Sequence, residues 1–454
     1  MFLKSKTKRF YYVYRDSSIC RESNASSNVT CNLWLIKYNF HNVIILLFKN
    51  HLICKIFSMK QFVTLFFPSL GSFKNSFDEV SKTSNSRIRF IDFLKVIGLL
   101  LIIFNTYFFL NFSKSSGEFI IYNRVVMDNS LTPITWLTVG MSLFIFSTGF
   151  TNKIAWYSNV GRDGSQWKFL TDRVDSLMGS VLVWIFFITV TLNISSKLVF
   201  FPFYITNQED GILTVTEFIM WPLWLVSIYL VVVLFCPLTI YLHKKNPYLT
   251  MSFLIFILVL IDNIDFSISL SYIKLFNYLI FWLTIHQLGY FYADGKIFTY
   301  KKSFFGVVTL LSYSYLFYLH MTTDQYLSVS NYRLLSFSNE DPPTTIYLVA
   351  SLGMISLFLM FRDQIEVFMK IPSVWNLFSA VHSNIYTLFL WHVAIFFFGN
   401  YFTIPVFGYL LIIVISLFIF GNYERQTFKL SRSLIKRVNP LQPWPTPIKA
   451  RLSY

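Results

Sequence analysis

The sequence predicts an all-α, multi-pass integral membrane protein with about ten transmembrane helices, and three observations carry that expectation. Hydrophobic residues make up 55% of the chain and charged residues only 13%, too few polar side chains to cover a water-soluble body of this size. The mean hydropathy is correspondingly high, at +0.54. Apolar runs of about 20 residues recur along the chain, the length a helix needs to cross roughly 30 Å of hydrocarbon. They are too long, and alternate too little, to be the strands of a membrane barrel. The third observation is the distribution of basic residues around those runs.

Ten spans are expected, at 93–112, 131–150, 177–195, 217–241, 249–268, 274–292, 303–320, 344–361, 384–401 and 404–421. With the segment before Ile91 in the cytoplasm, the gaps and tail on that side carry 18 Lys and Arg, from Lys153, Arg162, Lys168 and Arg173 to Lys449 and Arg451. The opposite side carries 5: Lys114, Arg124, Lys197, Lys274 and Arg333. By the positive-inside rule this asymmetry puts both ends of the core in the cytoplasm and the protein in the cytoplasmic membrane. One helix more or fewer would invert every later loop. The net charge of +16 is scattered between apolar runs, so it reads as topology and gives no sign of nucleic-acid binding.

Four segments follow: an N-terminal extension over 1–58, an apolar linker over 59–86, a membrane domain over 87–422 and a basic, Pro-rich cytoplasmic tail over 423–454, ending "NPLQPWPTPIKARLSY". The extension lacks the basic head, apolar core and cleavage site of a signal peptide. Met59 reads as an alternative start, so the stretch before it is expected not to be natively translated. "NVIILLFKNHLICKIFSMKQFVTLFFPSL" is cut by Lys49, His51, Lys55 and Lys60, and reads equally as an extra span, an interfacial helix or neither. Cys20, Cys31, Cys54 and Cys236 form no metal spacing and no disulfide framework. No metal site is expected, and the pattern fixes no oligomeric state.

Polar groups inside spans are costly and therefore mark function, cavities or helix–helix bonds. In "IDFLKVIGLLLIIFNTYFF", Asp92 and Lys95 share one face at the cytoplasmic edge, where they either anchor the helix at the headgroups or meet a ligand. Thr106 follows Asp92 on nearly the same face, about 21 Å further along by helical rise. His286 lies near the inner end of "FWLTIHQLGYFYADGK" and His392 near the middle of "TLFLWHVAIFFF". Each is either a helix–helix hydrogen bond or a base. Arg173 in "TDRVDSL" either grips a phosphate-bearing anion or obeys the positive-inside rule. No GxGxxG, P-loop, HExxH or GxSxG stands in usable context.

Seven pieces in order resemble the integral-membrane acyltransferase-3 family of O-acyltransferases, especially its actinobacterial branch. They are "RFIDFLKVIGLLLII", "MSLFIFSTGFTNKIAW", "GRDGSQWKFLTDRVDSLMGSVLVW", "WPLWLVSIYLVVVLFCPL", "IFWLTIHQLGYFYADG", "SNEDPPTT" and "YTLFLWHV". The resemblance implies transfer of an acyl group, most simply acetyl, from a cytoplasmic acyl-CoA co-substrate to a hydroxyl of a glycan, lipid or related acceptor, with no resident cofactor. It implies donor binding by Asp92, Lys95 and Arg173, with Ser176 where the family has a second arginine. The family attributes its base to a first-helix histidine, and that position is Thr106. A threonine is no base near neutral pH, and losing a general base costs about 10² to 10⁴ in rate. His286 and His392 are the groups that remain to replace it. A scaffold that has lost the chemistry would instead serve as a transporter or as a partner of envelope-building enzymes.

Overall fold

In a computed structural model of the chain, the described residues are 88–115, 118–197, 204–207, 212–263, 273–322 and 342–402. They belong to one compact unit, Leu70–Tyr454. The expected extension 1–58, the linker 59–86, the span 404–421 and the tail 423–454 lie outside the described residues.

The principal helices are α1 Arg89–Phe109, α2 Gly140–Val160, α3 Gln166–Lys197, α4 Leu223–Lys245, α5 Pro247–Asn263, α6 Phe276–Ala293, α7 Lys302–Thr322, α8 Thr345–Met360, α9 Arg362–Phe368, α10 Pro372–Ser383 and α11 Ile385–Tyr401. Among the described residues, five helical stretches are long and apolar enough to cross a membrane, or up to seven if the bent pairs α8/α9 and α10/α11 each count as one span. The protein is thus a mainly helical molecule with helices suited to a membrane; the described residues account for five to seven of the expected ten spans, and the expected span 404–421 lies outside them. α5, with 17 residues, falls short of the length. α6 carries Asn277, Thr284, His286 and Gln287, which dilute its apolar character.

The helices are accompanied by one small sheet in their connections: strands β1 Leu110–Ser115, β2 Glu118–Asn123, β3 Tyr204–Asn207 and β4 Ile212–Thr214 pair in the order β1-β2-β3-β4. β1 and β2 pair antiparallel from Leu110 opposite Asn123 to Ser115 opposite Glu118, and β2 meets β3 in parallel. The loops after α1 and α3 therefore join at one end of the bundle. The span expected at 131–150 lies within one apolar helical stretch, Asn129–Val160, which is interrupted only at Leu137–Val139, between a short helix Thr132–Trp136 and α2. Asn105 Nδ2 donates to the Thr138 carbonyl at that break, at 3.0 Å, which supplies a partner for a backbone oxygen there. α2 then runs on to Val160, so Lys153, assigned to a loop from the sequence, is a buried helical residue.

α2 and α6 form the centre. A Cβ added at Gly149 would lie 2.1 Å from the His286 carbonyl oxygen, and one added at Gly289 would lie 2.2 Å from that of Phe146. Their backbones touch, as small residues allow between membrane helices. Gly140 and Gly98 bring α2 against α1 in the same way, at 2.2 Å. α6 ends at Asp294, followed by Gly295 at φ 72°, the left-handed conformation that closes helices and suits glycine. α7 lies at the periphery, exposing Leu310, Leu311, Phe317 and Tyr318.

Candidate functional site

The consecutive residues Thr151, Asn152 and Lys153 of α2 each meet a different part of the bundle. Helical residues one apart point about 100° from each other, so three in a row on a central helix reach three neighbours.

Thr151 is where two expected donor residues converge. Lys95 Nζ of α1 donates to Thr151 Oγ1 at 3.5 Å, and Arg173 Nη2 of α3 donates to the Thr151 carbonyl at 3.4 Å. Arg173 lies within α3 rather than before it, with its guanidinium 5.7 Å from the Phe169 ring centroid. Its charge also reaches the hydroxyls of Tyr229 and Tyr386, which hydrogen-bond to each other. Asp92, the third donor candidate, is buried one turn before Lys95 and pairs with His382 Nε2 of α10 at 3.2 Å. Neither the headgroup-anchor nor the ligand reading of Asp92 foresaw this partner, because 290 residues separate the two in sequence.

Beyond Lys95 lies a small apolar cavity of about 20 Å³ between α1, α2, α3, α4 and α11, lined in part by Leu99, Ile102, Phe144, Tyr229, Tyr386 and Phe389. That is room for about one water-sized group. Further along α1, Thr106 is fully buried and its hydroxyl donates to the Ile102 carbonyl at 3.2 Å. The next residue, Tyr107, donates its hydroxyl to the His392 carbonyl at 3.2 Å. The residue that meets α11 at His392 is therefore Tyr107, one position beyond the one that the resemblance assigns to a base.

His392 is fully buried, and its Nδ1 is 2.5 Å from the Phe389 carbonyl. A carbonyl only accepts, so Nδ1 carries the proton and Nε2 carries the lone pair. Among the described residues that Nε2 has no hydrogen-bond partner. His286 differs. Asn152 Nδ2 donates to its Nε2 at 3.1 Å, which leaves the proton on Nδ1. The structure thus brings Lys95 and Arg173 together at Thr151, ties Tyr107, the neighbour of Thr106, to the His392 backbone, and places His286 in a separate polar group on α6.

That group is densely bonded. Lys153 Nζ donates to Asp294 Oδ1 at 2.5 Å and to the Tyr290 carbonyl at 3.4 Å. His243 Nε2 of α4 donates to Asp294 Oδ2 at 2.9 Å, and Gln287 Nε2 donates to His243 Nδ1 at 2.6 Å. Lys296 approaches the same carboxylate at 3.3 Å. Tyr290 donates to Cys236 Sγ at 3.3 Å and contacts Thr239 Oγ1 at 3.0 Å. Lys153 and His243 are almost wholly buried, while the Asp294 side chain keeps 28% of its surface exposed. Partial burial alone would raise the Asp294 pKa, but the hydrogen bonds from Lys153 and His243 outweigh it and hold the carboxyl below the usual aspartate value. Lys153, His243 and Asp294 were not singled out as site residues. The available signal was a lysine and an aspartate at the ends of two apolar runs whose helices end on the same face.

Among the described residues, no group of three or more His, Cys, Asp or Glu could hold a metal ion. Compared with known proteins, the chain matches no family model, no curated sequence and no solved structure.

Proposed function

We propose that the protein is a membrane O-acyltransferase that takes a short acyl group from an acyl-CoA type donor on the basic, cytoplasmic face. The acceptor is a hydroxyl of a glycan or lipid. One observation carries this reading: Lys95 and Arg173 meet at Thr151 at one end of an apolar cavity whose wall leads, through Phe389, to His392 with an available Nε2. A bidentate guanidinium beside an ammonium suits the donor's phosphates. A cavity this small has no room for a long acyl chain, in keeping with a short acyl group such as acetyl.

His392 takes the part of base in this proposal. Its Nε2 removes the acceptor's hydroxyl proton as the oxygen bonds to the thioester carbonyl carbon. The C–S bond then breaks, sulfur leaves with the electron pair, and the imidazolium returns the proton so that thiol and ester are the products. The Nδ1 bond to the Phe389 carbonyl holds the ring in the tautomer this requires. Thr106 keeps its hydroxyl on the helix backbone and contributes shape only. His286, bonded to Asn152 through Nε2, belongs to the α6 group and not to the reacting centre.

The test is acyl transfer by purified protein with separate kcat and KM. Arg173→Ala is expected to raise the donor KM with a lesser effect on kcat, and His392→Gln to lower kcat by about 10² to 10⁴. An active protein in which His392→Gln changes nothing would remove His392 from the chemistry.

A second reading, a transporter on the same scaffold, draws on the buried Lys153–Asp294–His243 cluster, because charged groups within membrane helices commonly mark ion or proton paths. Solute flux without acyl consumption would favour it.

A further inference from the structure

The chain between α8 and α11 does not loop away from the bundle. It turns by 58° into α9 and by 71° from α10 into α11, so α9 and α10 form an elbow between two apolar helices. The elbow has two unlike faces. Its inner face is fixed to the first turns of α1: Arg89 Nη1 donates to the Met369 carbonyl at 3.0 Å, and its guanidinium lies 4.9 Å from the Trp375 ring centroid. Phe378 stacks on Phe93 at 5.3 Å, and His382 pairs with Asp92. Trp375, Phe378, Ser379 and His382 follow the spacing of one helical stripe.

The outer face is apolar and open. Phe361, Val367, Phe368, Ile371 and Leu377 are 45%, 64%, 45%, 47% and 59% exposed, with exposed Lys370 among them. The acidic residues of the elbow are matched: Asp363 pairs with Lys302 and Arg362, and Glu366 pairs with Arg362. Five large apolar side chains exposed to water along one short stretch would be a liability. The same side chains, flanked by a snorkelling lysine at the level where α1 begins, suit the boundary between headgroups and acyl chains. Continuity with α8 and α11, which run into the bilayer on either side, puts the elbow at that depth.

We propose that α9 and α10 form an interfacial lid: the outer face beds in the phospholipid leaflet on the basic side, and the inner face closes over the start of α1. The partner is the lipid surface itself, through its headgroup–acyl boundary. The leaflet contact stands independently of the acyltransferase reading. That the lid covers the donor's mouth rests on it, because Asp92 and Lys95 supply that mouth.

The test uses the full chain in native membranes with the photo-crosslinking residue benzoylphenylalanine in place of Leu377 or Phe368, and in place of the exposed polar Gln364 as a control. Phospholipid adducts at 377 and 368 exceeding those at 364 are expected. Adducts to the chain's own 42–70 segment or to another protein, or no excess over the control, would overturn the proposal. A second measurement uses hydrogen exchange in lipid nanodiscs. Leu377→Glu puts a charge into the outer face and should speed exchange across 372–383 about tenfold relative to Leu377→Ala, given the transfer free energies of such side chains. Equal exchange in the two variants would overturn it. Neither readout requires acyl transfer, so an inactive protein with lipid adducts would keep the lid and discard the donor mouth.

Discussion

Lys153 of α2 and Asp294 at the end of α6 form an ion pair in which the ammonium is almost wholly buried and the carboxylate remains partly exposed. The pair is asymmetric. Asp294 retains His243 and Lys296 if Lys153 is lost, whereas Lys153 without Asp294 keeps a carbonyl bond to Tyr290 and no counter-charge among the contacts described. Asp294→Asn is therefore expected to cost about 3 kcal/mol of stability, more than Lys153→Met, because an uncompensated buried charge is the expensive outcome. Thermal unfolding of the two single variants and the double variant in nanodiscs measures this. The double variant should lose less than the sum of the singles.

The same carboxylate gives a pH signature. Its pKa lies below the ordinary value of 3.8 in the folded protein, so its stabilising effect is fully present above the unfolded value and is lost as pH falls through the folded one. Melting temperature measured against pH should carry an acid limb, below about pH 4, that is shallower in Asp294→Asn. Identical limbs would mean that the carboxylate is not held by Lys153 and His243.

The contact of α2 with α6 is a backbone contact. Gly149→Ala places a methyl group where the His286 carbonyl stands, and overpacking of this kind costs about 1 to 3 kcal/mol. Gly161→Ala, where the nearest atom is 3.3 Å away, should cost less. Unfolding in detergent compares the two directly.

How much of this was legible in the sequence follows from what each feature depends on. An apolar run is a local property, and the long helices lie where those runs are. Strands of three to six residues in the connections carry no comparable signal, so the sheet joining β2 to β3 was missed. Charge was read as the mark of a helix end, which placed Lys153 in a loop. Asp294, 141 residues away, supplies the partner that lets α2 continue past it. Lys95 and Arg173 were legible as cations on one side of the bundle, but their convergence on Thr151 was not, since it depends on how three helices cross. The same holds for His392: the sequence offered two histidines, and only the bonds at Phe389 and Asn152 distinguish an available Nε2 from an occupied one.

A further outcome separates Thr106 from its neighbour. Thr106→Val removes a hydroxyl that is bonded to its own helix and should change acyl transfer by less than about tenfold, because no transition-state group is lost. Tyr107→Phe removes the bond to the His392 carbonyl, and is expected to lower kcat by shifting the ring while leaving the donor KM unchanged. Steady-state kinetics on the pair tests whether His392 is held through Tyr107.

The most direct measurement is transfer of label from radiolabelled acetyl-CoA into lipid and glycan fractions, in membranes carrying the wild type, Arg173→Ala, His392→Gln or Thr106→His. Incorporation by the wild type, lost in Arg173→Ala and in His392→Gln, is the expected result. Silence of the wild type with activity gained in Thr106→His would contradict it by showing a scaffold without a base, and silence in all four would contradict the acyltransferase reading itself.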